Sequence, residues 1–455
     1  MKALIIISLL GVVAMMAEVL RFRKLLMPLV ALGLIAALVT VVLDWGTDLS
    51  YYNDMAYFNN YALAFSGLII SITLLWLIIG GGYFISESSR SEHAALILFA
   101  LAGAISMISF ANLTMFFIGL EILSISLYVL ASSNKRELRS NEAGLKYLLM
   151  GAFATGFLLF GIALIYGACG SFNLDQIALK LSTGVEHPLF VQAGVLLILV
   201  GLLFKVSAAP FHFWAPDVYE GAPTLITAFM ATVVKTAAFA AFYRLFSTCF
   251  SSMQDTWVFL LAILSGLTML AGNILAVYQT SMKRMLAYSS IAHAGYMLMA
   301  IVAMNEVSAG AILLYAGVYS LGSLGAFAVL NGMSKAGDEQ ISVLNGLGRR
   351  QPVVGIFLSM IMFSLAGIPP VAGFFAKYYL FYGAFTAGFG WLVLIAILSS
   401  LIGVYYYFKV IYAMFKDDGA GQSVLSPNHV ILLVAAGLLS LGIGLFPAWV
   451  QTLLA

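Results

Sequence analysis

The sequence predicts an all-α integral membrane protein with about fourteen transmembrane helices. The 455 residues are 63% hydrophobic and only 9% charged, and the mean hydropathy is +1.05. These values lie outside the range of soluble globular domains. The apolar residues form runs of roughly 17 to 25, the length of a helix that crosses a bilayer. The runs are centred near residues 11, 34, 70, 102, 122, 157, 199, 234, 267, 294, 319, 365, 403 and 441.

The connections between these segments are too short to hold a soluble catalytic domain. The longest one runs from Gly332 to Gln351. We therefore expect the function of the chain to lie within the bilayer.

Basic residues are distributed unevenly between the two sides of the predicted membrane. The odd-numbered loops hold Arg21, Arg23, Lys24, Arg90, Lys135, Arg136, Arg139, Lys283, Arg284, Lys335, Arg349, Arg350 and Lys416. The N-terminus and the even-numbered loops hold Lys2, Lys180 and Arg244. Since Lys and Arg in short loops stay on the cytoplasmic side, the pattern predicts that both termini face outward.

Prolines interrupt the seventh and the twelfth segment. The seventh reads KVSAAPFHFWAPD from Lys205 to Asp217, and the twelfth reads LAGIPPVAGFFAK from Leu365 to Lys377. Proline breaks a helix, and such breaks persist at membrane depth only inside protein or beside water. Because the breaks lie five segments apart, segments 4 to 8 and 9 to 13 are predicted to be inverted five-helix repeats, as in many transporters. The alternative is that the prolines only kink their helices.

Five charged residues lie inside or at the edge of the apolar segments: Glu121, Lys146, Lys205, Lys235 and Lys377. Each costs at least ~2.5 to 3.5 kcal/mol on insertion scales, so such groups usually face a polar interior and bind or move charge. Desolvation destabilises the charged form of an ammonium. A lysine in this position can therefore take up and release a proton near neutral pH, and the pattern predicts a line of proton-holding groups.

Two lysines have a simpler explanation. Lys146 lies about two turns beyond the basic loop before segment 6, and a long lysine stem can reach water over that distance. Its role stays open between proton transfer and snorkelling. Lys409 lies near the predicted inner end of segment 13, and snorkelling explains it fully.

Two histidines lie in apolar surroundings, His212 beyond the first break and His293 in segment 10. A pair of membrane histidines can ligate a haem, but a histidine that titrates near neutrality also serves as a proton relay between lysines. We interpret His212 as a relay. His293 fits a packing role equally well, and Asp217 and Glu220 fit either proton guidance or helix capping.

Motifs for bound cofactors are absent from the sequence. Cys169 and Cys249 lack the spacing of a zinc or iron–sulfur site and are interpreted as small apolar residues. Neither a dinucleotide fingerprint nor a P-loop occurs.

Five stretches of the chain resemble the antiporter-like membrane subunit family of respiratory complex I, the proton-pumping NADH:quinone oxidoreductase, which is shared with Mrp sodium/proton antiporters. They are GLE at Gly119–Glu121, EAGLKYLLMGAF at Glu142–Phe153, FKVSAAPFHFWAPDVYEGAPT at Phe204–Thr224, KRMLAYSSIAHAGY at Lys283–Tyr296 and GIPPVAGFFAKYY at Gly367–Tyr379. Together they span most of the chain.

The resemblance implies a fourteen-helix subunit with discontinuous helices 7 and 12. Helices 1 to 3 would occupy residues 1–93, the first inverted repeat with helices 4 to 8 residues 94–250, the second with helices 9 to 13 residues 251–416, and helix 14 residues 417–455. The location implied is the bacterial inner, cytoplasmic membrane with both termini periplasmic.

The resemblance also implies roles for individual residues. Glu121, Lys205, Lys235 and Lys377 match the family's charged residues on helices 5, 7, 8 and 12. Lys146 matches the additional lysine on helix 6, and His212 the histidine beyond the break. In the expected mechanism the Glu121 carboxylate holds Lys205 protonated until a neighbouring subunit perturbs the pair. The proton then passes through water and His212 toward Lys235 and Lys377.

No cofactor is expected in this chain itself. The resemblance places NAD, FMN, iron–sulfur clusters and quinone in partner subunits, and it implies membrane-arm partners of the subunit M and K types, together with the lipid bilayer and no nucleic acid. The alternative function is a Mrp-type sodium/proton antiporter that uses the same lysines. A purely structural spacer would not explain charged residues retained in the membrane at a cost.

Overall fold

A computed structural model describes residues 1–86, 90–333, 339–416 and 425–446. Lys335 and parts of the segment 417–455 therefore lie outside the described residues. Helices dominate, in the order α1 Lys2–Met16, α2 Leu26–Leu43, α3 Asn60–Ser86, α4 Arg90–Ile108, α5 Leu113–Ala131, α6 Leu138–Cys169, α7 Leu174–Thr183, α8 Pro188–Lys205, α9 Trp214–Gly221, α10 Thr224–Phe229, α11 Lys235–Thr248, α12 Gln254–Val277, α13 Met282–Ala303, α14 Ser308–Met333, α15 Leu347–Arg350, α16 Pro352–Ala366, α17 Ala372–Thr386, α18 Gly390–Phe415 and α19 Pro427–Leu445.

Within the described ranges, twelve helical stretches are long and apolar enough to cross a membrane. Helices α1 and α16 are apolar but shorter. The chain is therefore a multi-pass, helical membrane protein, as the composition predicts. The stretch Thr224–Thr248 counts as one span because a π-helical turn, Met230–Val234, joins α10 to α11.

A small hairpin and a lateral helix were missed by the sequence prediction. Strands β1 Leu49–Tyr51 and β2 Ala56–Phe58 pair antiparallel with Leu49 opposite Phe58. Three-residue strands are too short to show a period of two, so the sequence carries no signal of this hairpin, and the all-α class still holds for the other described residues. Helix α7 is only half apolar, burying Leu174 and Ile177, and it therefore gives no signal of a membrane span.

The chain divides into two compact units. Unit 1 comprises Met1–Leu77, Gly81–Val206 and Val233–Leu261, and unit 2 comprises Ile78–Gly80, Ser207–Thr232 and Ala262–Ala455. In unit 1, α4 packs against α1 and α5, and α6 packs against α8. In unit 2, α14 packs against α19 and α17, while α13 and α14 are almost wholly buried.

Helices α4 and α5 approach each other closely at two glycines. A Cβ atom at Gly103 would lie 2.8 Å from the carbonyl oxygen of Gly119, and a Cβ atom at Gly119 would lie 2.7 Å from the backbone nitrogen of Met107. Small residues allow membrane helices to pack backbone against backbone. This contact fixes the position of α5, which carries Glu121.

We predict that Gly119→Ala destabilises the protein by about 1 to 3 kcal/mol, because the added methyl group overpacks a backbone contact. Gly156→Ala in α6 is the matched control, since nothing lies within 4 Å of a Cβ atom at that position. The control should be neutral or raise the free energy of unfolding by up to about 1 kcal/mol through helix propensity. Denaturant titration of the protein in detergent measures both changes. Equal effects of the two substitutions would contradict the close approach of α4 and α5.

Candidate functional site

Lys205 is anchored to α5 one helical turn from Glu121. The lysine is the last residue of α8 and is 8% exposed, and its Nζ donates a hydrogen bond of 2.7 Å to the Ser124 hydroxyl. Residues three apart share one face of a helix, so Ser124 and Glu121 face the same way. Among the described residues, the buried Oε1 of Glu121 has no hydrogen-bond partner. The first break therefore brings a buried ammonium close to a carboxylate with unused hydrogen-bonding capacity.

Lys235 lies at a π-helical irregularity. It is the first residue of α11, directly after the π-helical turn Met230–Val234, and it is 3% exposed. A π-helical turn widens the backbone locally and often marks a functional position in a helix. The neighbouring residues Val234, Thr236 and Ala237 are all buried, so this ammonium lies in the interior of unit 1.

Lys377 lies in α17, and its ammonium binds the C-terminal end of α16, the first half of the second broken helix. Its Nζ donates to the carbonyl oxygen of Ala366, the last residue of α16, at 2.8 Å, and to the Ser400 hydroxyl at 2.8 Å. It also lies 4.9 Å from the centre of the Tyr296 ring. The C-terminus of a helix carries a partial negative charge that favours a cation. The break thus provides the oxygen that stabilises the buried ammonium.

Gly367 makes room for this lysine. It follows Ala366 with φ +83°, and a Cβ atom there would lie 2.7 Å from Cδ of Lys377. The left-handed conformation ends α16 without steric cost because glycine has no Cβ atom. The same missing atom lets Lys377 reach the end of the helix.

His293 borders a cavity beside Lys377. The cavity is small, with a volume of about 10 Å³, and Tyr319 and Ser364 also line it. His293 Nδ1 lies 2.7 Å from the Tyr315 hydroxyl, and Nε2 lies 3.0 Å from the Tyr407 hydroxyl. Both ring nitrogens thus belong to a hydrogen-bond chain. The structure places His293, whose role the sequence left open, next to a charged residue of the predicted relay.

An asparagine connects further hydroxyl groups in unit 2. Asn273 Nδ2 donates to the Tyr296 hydroxyl at 3.1 Å and to Ser399 Oγ at 2.7 Å, and its Oδ1 accepts from Tyr406 at 2.8 Å. Tyr296 therefore contacts both this network and Lys377. Sequence reasoning missed these residues, because uncharged polar side chains inside helices are common and carry little signal.

His212 lies in unit 2 and is 5% exposed. Its ring lies 4.4 Å from the Phe213 ring. Among the described residues, its Nδ1 is a buried atom with no hydrogen-bond partner. An imidazole nitrogen in this state has capacity to accept or donate a proton.

Lys146 differs from the other lysines by lying on the outer face of α6. Its side chain is 39% exposed and forms an ion pair of 2.7 Å with Glu142 one turn earlier. Exposed apolar residues such as Leu145 and Leu149 surround it. The structure therefore does not bring Lys146 into the interior with Lys205 and Lys235.

The carboxylates beyond the first break belong to an ion-pair cluster. Arg284 Nη1 lies 3.1 Å from Asp217 Oδ1 and 2.6 Å from Glu220 Oε2. Next to it, Lys283 donates to the Ala222 carbonyl oxygen at 2.7 Å. These contacts join the end of α9 to the start of α13. The cluster therefore holds the chain in position just after the first break.

The prediction that Arg244 lies in an outward loop was wrong. The structure places it inside α11 with 6% exposure. The span to which it belongs, Thr224–Thr248, has 25 residues and is longer than the window of about 20 used to read the sequence. Lys409 in α18 donates to the Gln279 carbonyl oxygen at 2.9 Å. Both cysteines, Cys169 and Cys249, are buried.

Comparisons with known proteins agree with this arrangement. Residues 110–403 match the family described as NADH:quinone oxidoreductase/Mrp antiporter, TM. A curated relative, NADH-quinone oxidoreductase subunit N of Cytophaga hutchinsonii, is 45% identical over 454 residues, which cover 98% of each chain.

Two solved structures share the fold. A chain of respiratory complex I from Thermus thermophilus with bound aureothin is 35% identical, with a TM-score of 0.85 and coverage of 99% of this chain and 98% of that chain. A chain of the Mrp complex from a Dietzia species has a TM-score of 0.84 over 99% of this chain and 94% of that chain, but it is only 19% identical and shows the fold alone. The chain therefore belongs to the membrane-spanning antiporter family of NADH:quinone oxidoreductases and Mrp antiporters.

Proposed function

We propose that the chain is the proton-translocating, antiporter-like subunit that corresponds to subunit N in the membrane arm of a bacterial NADH:quinone oxidoreductase. The observation that carries the proposal is the burial of three lysines, Lys205, Lys235 and Lys377, at 8%, 3% and 6% exposure. Each lies at a helix break, a helix end or a π-helical turn, where a buried ammonium can find partners. Such groups mark charge pathways in membrane proteins.

Fourteen spans with two inverted repeats account best for the order of the helices. The first repeat would run from α4 to α11 within residues 94–250, and the second from α12 to α18 within residues 251–416. The breaks after Lys205 and after Ala366 occupy corresponding places in the two repeats. The basic residues of the odd-numbered loops favour periplasmic termini and insertion in the inner membrane.

Proton transfer begins at the Glu121–Lys205 pair in this proposal. The ammonium binds the Ser124 hydroxyl at 2.7 Å, so a small movement of α5 changes both its hydrogen bond and its distance from the carboxylate. When a neighbouring subunit displaces this pair, Lys205 loses stabilisation and releases its proton. The proton then passes through water and His212 toward Lys235 and Lys377.

The energy required is modest. Moving one charge against the membrane potential costs about 2.3 kcal/mol per 100 mV. Breaking one desolvated ion pair changes the free energy by about 3 to 5 kcal/mol. Glu121 acts on Lys205 through space without a direct ion pair, and a change of this interaction would need to supply energy of that order for each proton transferred.

Lys377 is the group from which unit 2 releases the proton. Its contacts with Ala366, Ser400 and Tyr296 stabilise the ammonium, and the cavity that it shares with His293 has a volume of about 10 Å³, room for at most a single water molecule. We assign His293 a supporting role in orienting Tyr315 and Tyr407 around this cavity. Lys146 stands at the edge of the relay, on a face of α6 that is open to a neighbouring subunit.

Redox chemistry takes place in other subunits. NAD, FMN, the iron–sulfur clusters and the quinone would be bound by partner subunits, and energy would reach this chain as a change of conformation or charge. Its neighbours in the membrane arm would be subunits of the M and K types.

The relay predicts that Glu121→Gln and Lys235→Met each reduce NADH-driven proton pumping about tenfold or more. Each substitution removes an ionisable side chain on which the proposed proton transfer depends. Pumping is measured in vesicles that contain the assembled complex. Lys409→Met is the matched control, since Lys409 lies near the end of its apolar segment, where snorkelling explains it, and is not part of the proposed relay; it should retain pumping. Normal pumping with both Glu121→Gln and Lys235→Met would contradict the relay.

The Lys205 hydrogen bond can be tested with two serines of the same helix. Ser124→Ala leaves a buried charged donor without its acceptor, which costs about 1.5 to 3 kcal/mol, so proton pumping should fall about tenfold. Ser126→Ala should leave pumping unchanged, because the Ser126 hydroxyl donates only to the Ile122 carbonyl oxygen of its own helix. Equal pumping by the two variants would show that Ser124 does not position Lys205.

A Mrp-type sodium/proton antiporter is the alternative function, and its fold is similar. We expect the tagged chain, purified from its native membrane, to carry flavin and iron–sulfur subunits and NADH:quinone activity. Mass spectrometry of the purified assembly identifies these partners. Recovery with Mrp subunits alone would assign the same lysines to sodium/proton exchange.

A further inference from the structure

Unit 1 contains a deep polar cavity on the side opposite the basic loops. Its volume is about 750 Å³, and we call it the outer vestibule. The residues that line it come from the hairpin, from the connection between α4 and α5, from the start of α7 and from the end of α11. All of these parts belong to even-numbered loops or to the helix ends beside them. The distribution of basic residues places these loops on the outer side of the membrane.

The outer vestibule is acidic at its mouth and basic in its interior. Asp54 and Asp175 are exposed, whereas Tyr61 and Tyr243 are half-buried and Arg244 is 6% exposed. Among the described residues that line the vestibule, Arg244 is the only cation. The buried charge therefore dominates the interior end of the cavity.

Arg244 is held in place by oxygen atoms of the backbone. Its Nη1 donates to the Ile108 carbonyl oxygen at 3.0 Å, and its Nη2 donates to the Tyr57 carbonyl oxygen at 3.3 Å. The guanidinium carbon lies 5.7 Å from the centre of the Tyr57 ring and 5.7 Å from that of the Phe110 ring. Among the described residues no carboxylate forms a salt bridge with it. Its positive charge is thus fixed by backbone oxygens and is not neutralised by a direct ion pair, although Asp175 acts on it electrostatically from the same cavity.

Beyond Arg244 the helix is apolar as far as the relay. The residues from Ala237 to Phe242 are completely buried, and Tyr61 donates to the Ala240 carbonyl oxygen at 2.8 Å. Nine residues separate Arg244 from Lys235, a rise of about 13.5 Å along the helix axis. The apolar layer that separates the water in the outer vestibule from Lys235 is therefore only two to three helical turns thick.

We propose that Arg244 is an electrostatic seal which prevents protons from returning from the outer water to Lys235 through unit 1. A fixed cation at the buried end of the cavity, next to the apolar layer that follows it, raises the energy of any further cation there, which is how arginines exclude protons and cations from other membrane pores. A pump that stores energy as a proton gradient loses it through any such leak. The seal thus has a function separate from the relay that moves protons forward.

Passive proton leak tests the seal independently of pumping. Vesicles containing the assembled complex are given a pH gradient without NADH, and the decay of the gradient is followed with a pH-sensitive dye. Arg244→Gln keeps an amide donor but removes the charge, and it should raise the leak on the order of tenfold. Arg244→Lys keeps the charge without the forked geometry, and its leak should stay within about twofold of the parent.

Two results would overturn the proposal. The first is an unchanged leak with Arg244→Gln in the assembled complex. The second is an equal increase with Arg244→Gln and Arg244→Lys, which would show that packing rather than charge closes the cavity. Because the assay needs no turnover, a defect in the relay residues does not affect it.

A second pair of substitutions leaves the guanidinium contacts of Arg244 in place and changes only Ser247, whose hydroxyl donates to the Arg244 backbone carbonyl oxygen. Ser247 also lines the outer vestibule, and its hydroxyl donates only to a carbonyl oxygen of its own helix. Ser247→Glu places a negative charge beside the guanidinium and should raise the leak several-fold, whereas Ser247→Gln, of similar size, should not. Equal proton leaks in Ser247→Glu and Ser247→Gln would also overturn the proposal. These two variants test it on their own if the Arg244 variants fail to assemble.

Discussion

The burial of positive charge is the constraint on which the rest of the structure depends. A helix satisfies its own carbonyl oxygens except in its last turn, so a cation in an apolar bundle finds backbone oxygen atoms chiefly where a helix stops. The chain uses this solution repeatedly. Cations donate to carbonyl oxygens at or just beyond helix C-termini in the pairs Arg244–Ile108, Lys180–Cys169, Lys283–Ala222, Lys377–Ala366 and Lys409–Gln279. The broken helices are therefore needed for the charges as much as for the path of the chain.

Lys205 differs from these five cations, and the difference is informative. Its ammonium binds a side-chain hydroxyl on another helix and not a helix end. A hydroxyl can rotate and belongs to an element that can shift, whereas a terminal carbonyl is fixed by its own helix. Of the lysines, Lys205 is accordingly the one whose stabilisation responds most directly to movement of α5 relative to α8.

The charged part of the site could be predicted from the sequence, and its partners could not. Glu121, Lys205, Lys235 and Lys377 stand out because a charge in an apolar run is costly. Ser124 gives no such signal, since a serine hydroxyl is satisfied by its own helix at little cost in most positions. Arg244 was misplaced because it lies near the end of an unusually long span. The hairpin escaped prediction because its strands are short, and α7 because it is amphipathic.

The fit between Gly367 and Lys377 has a consequence for the evolution of this chain. The side chain of Lys377 occupies the space that a Cβ atom at position 367 would need. The two positions therefore cannot vary independently, and substitutions at them should be strongly non-additive. A lineage that moved the charge of helix α17 to another position would remove the steric conflict at position 367 but not its left-handed φ, so glycine would be retained there for the backbone alone.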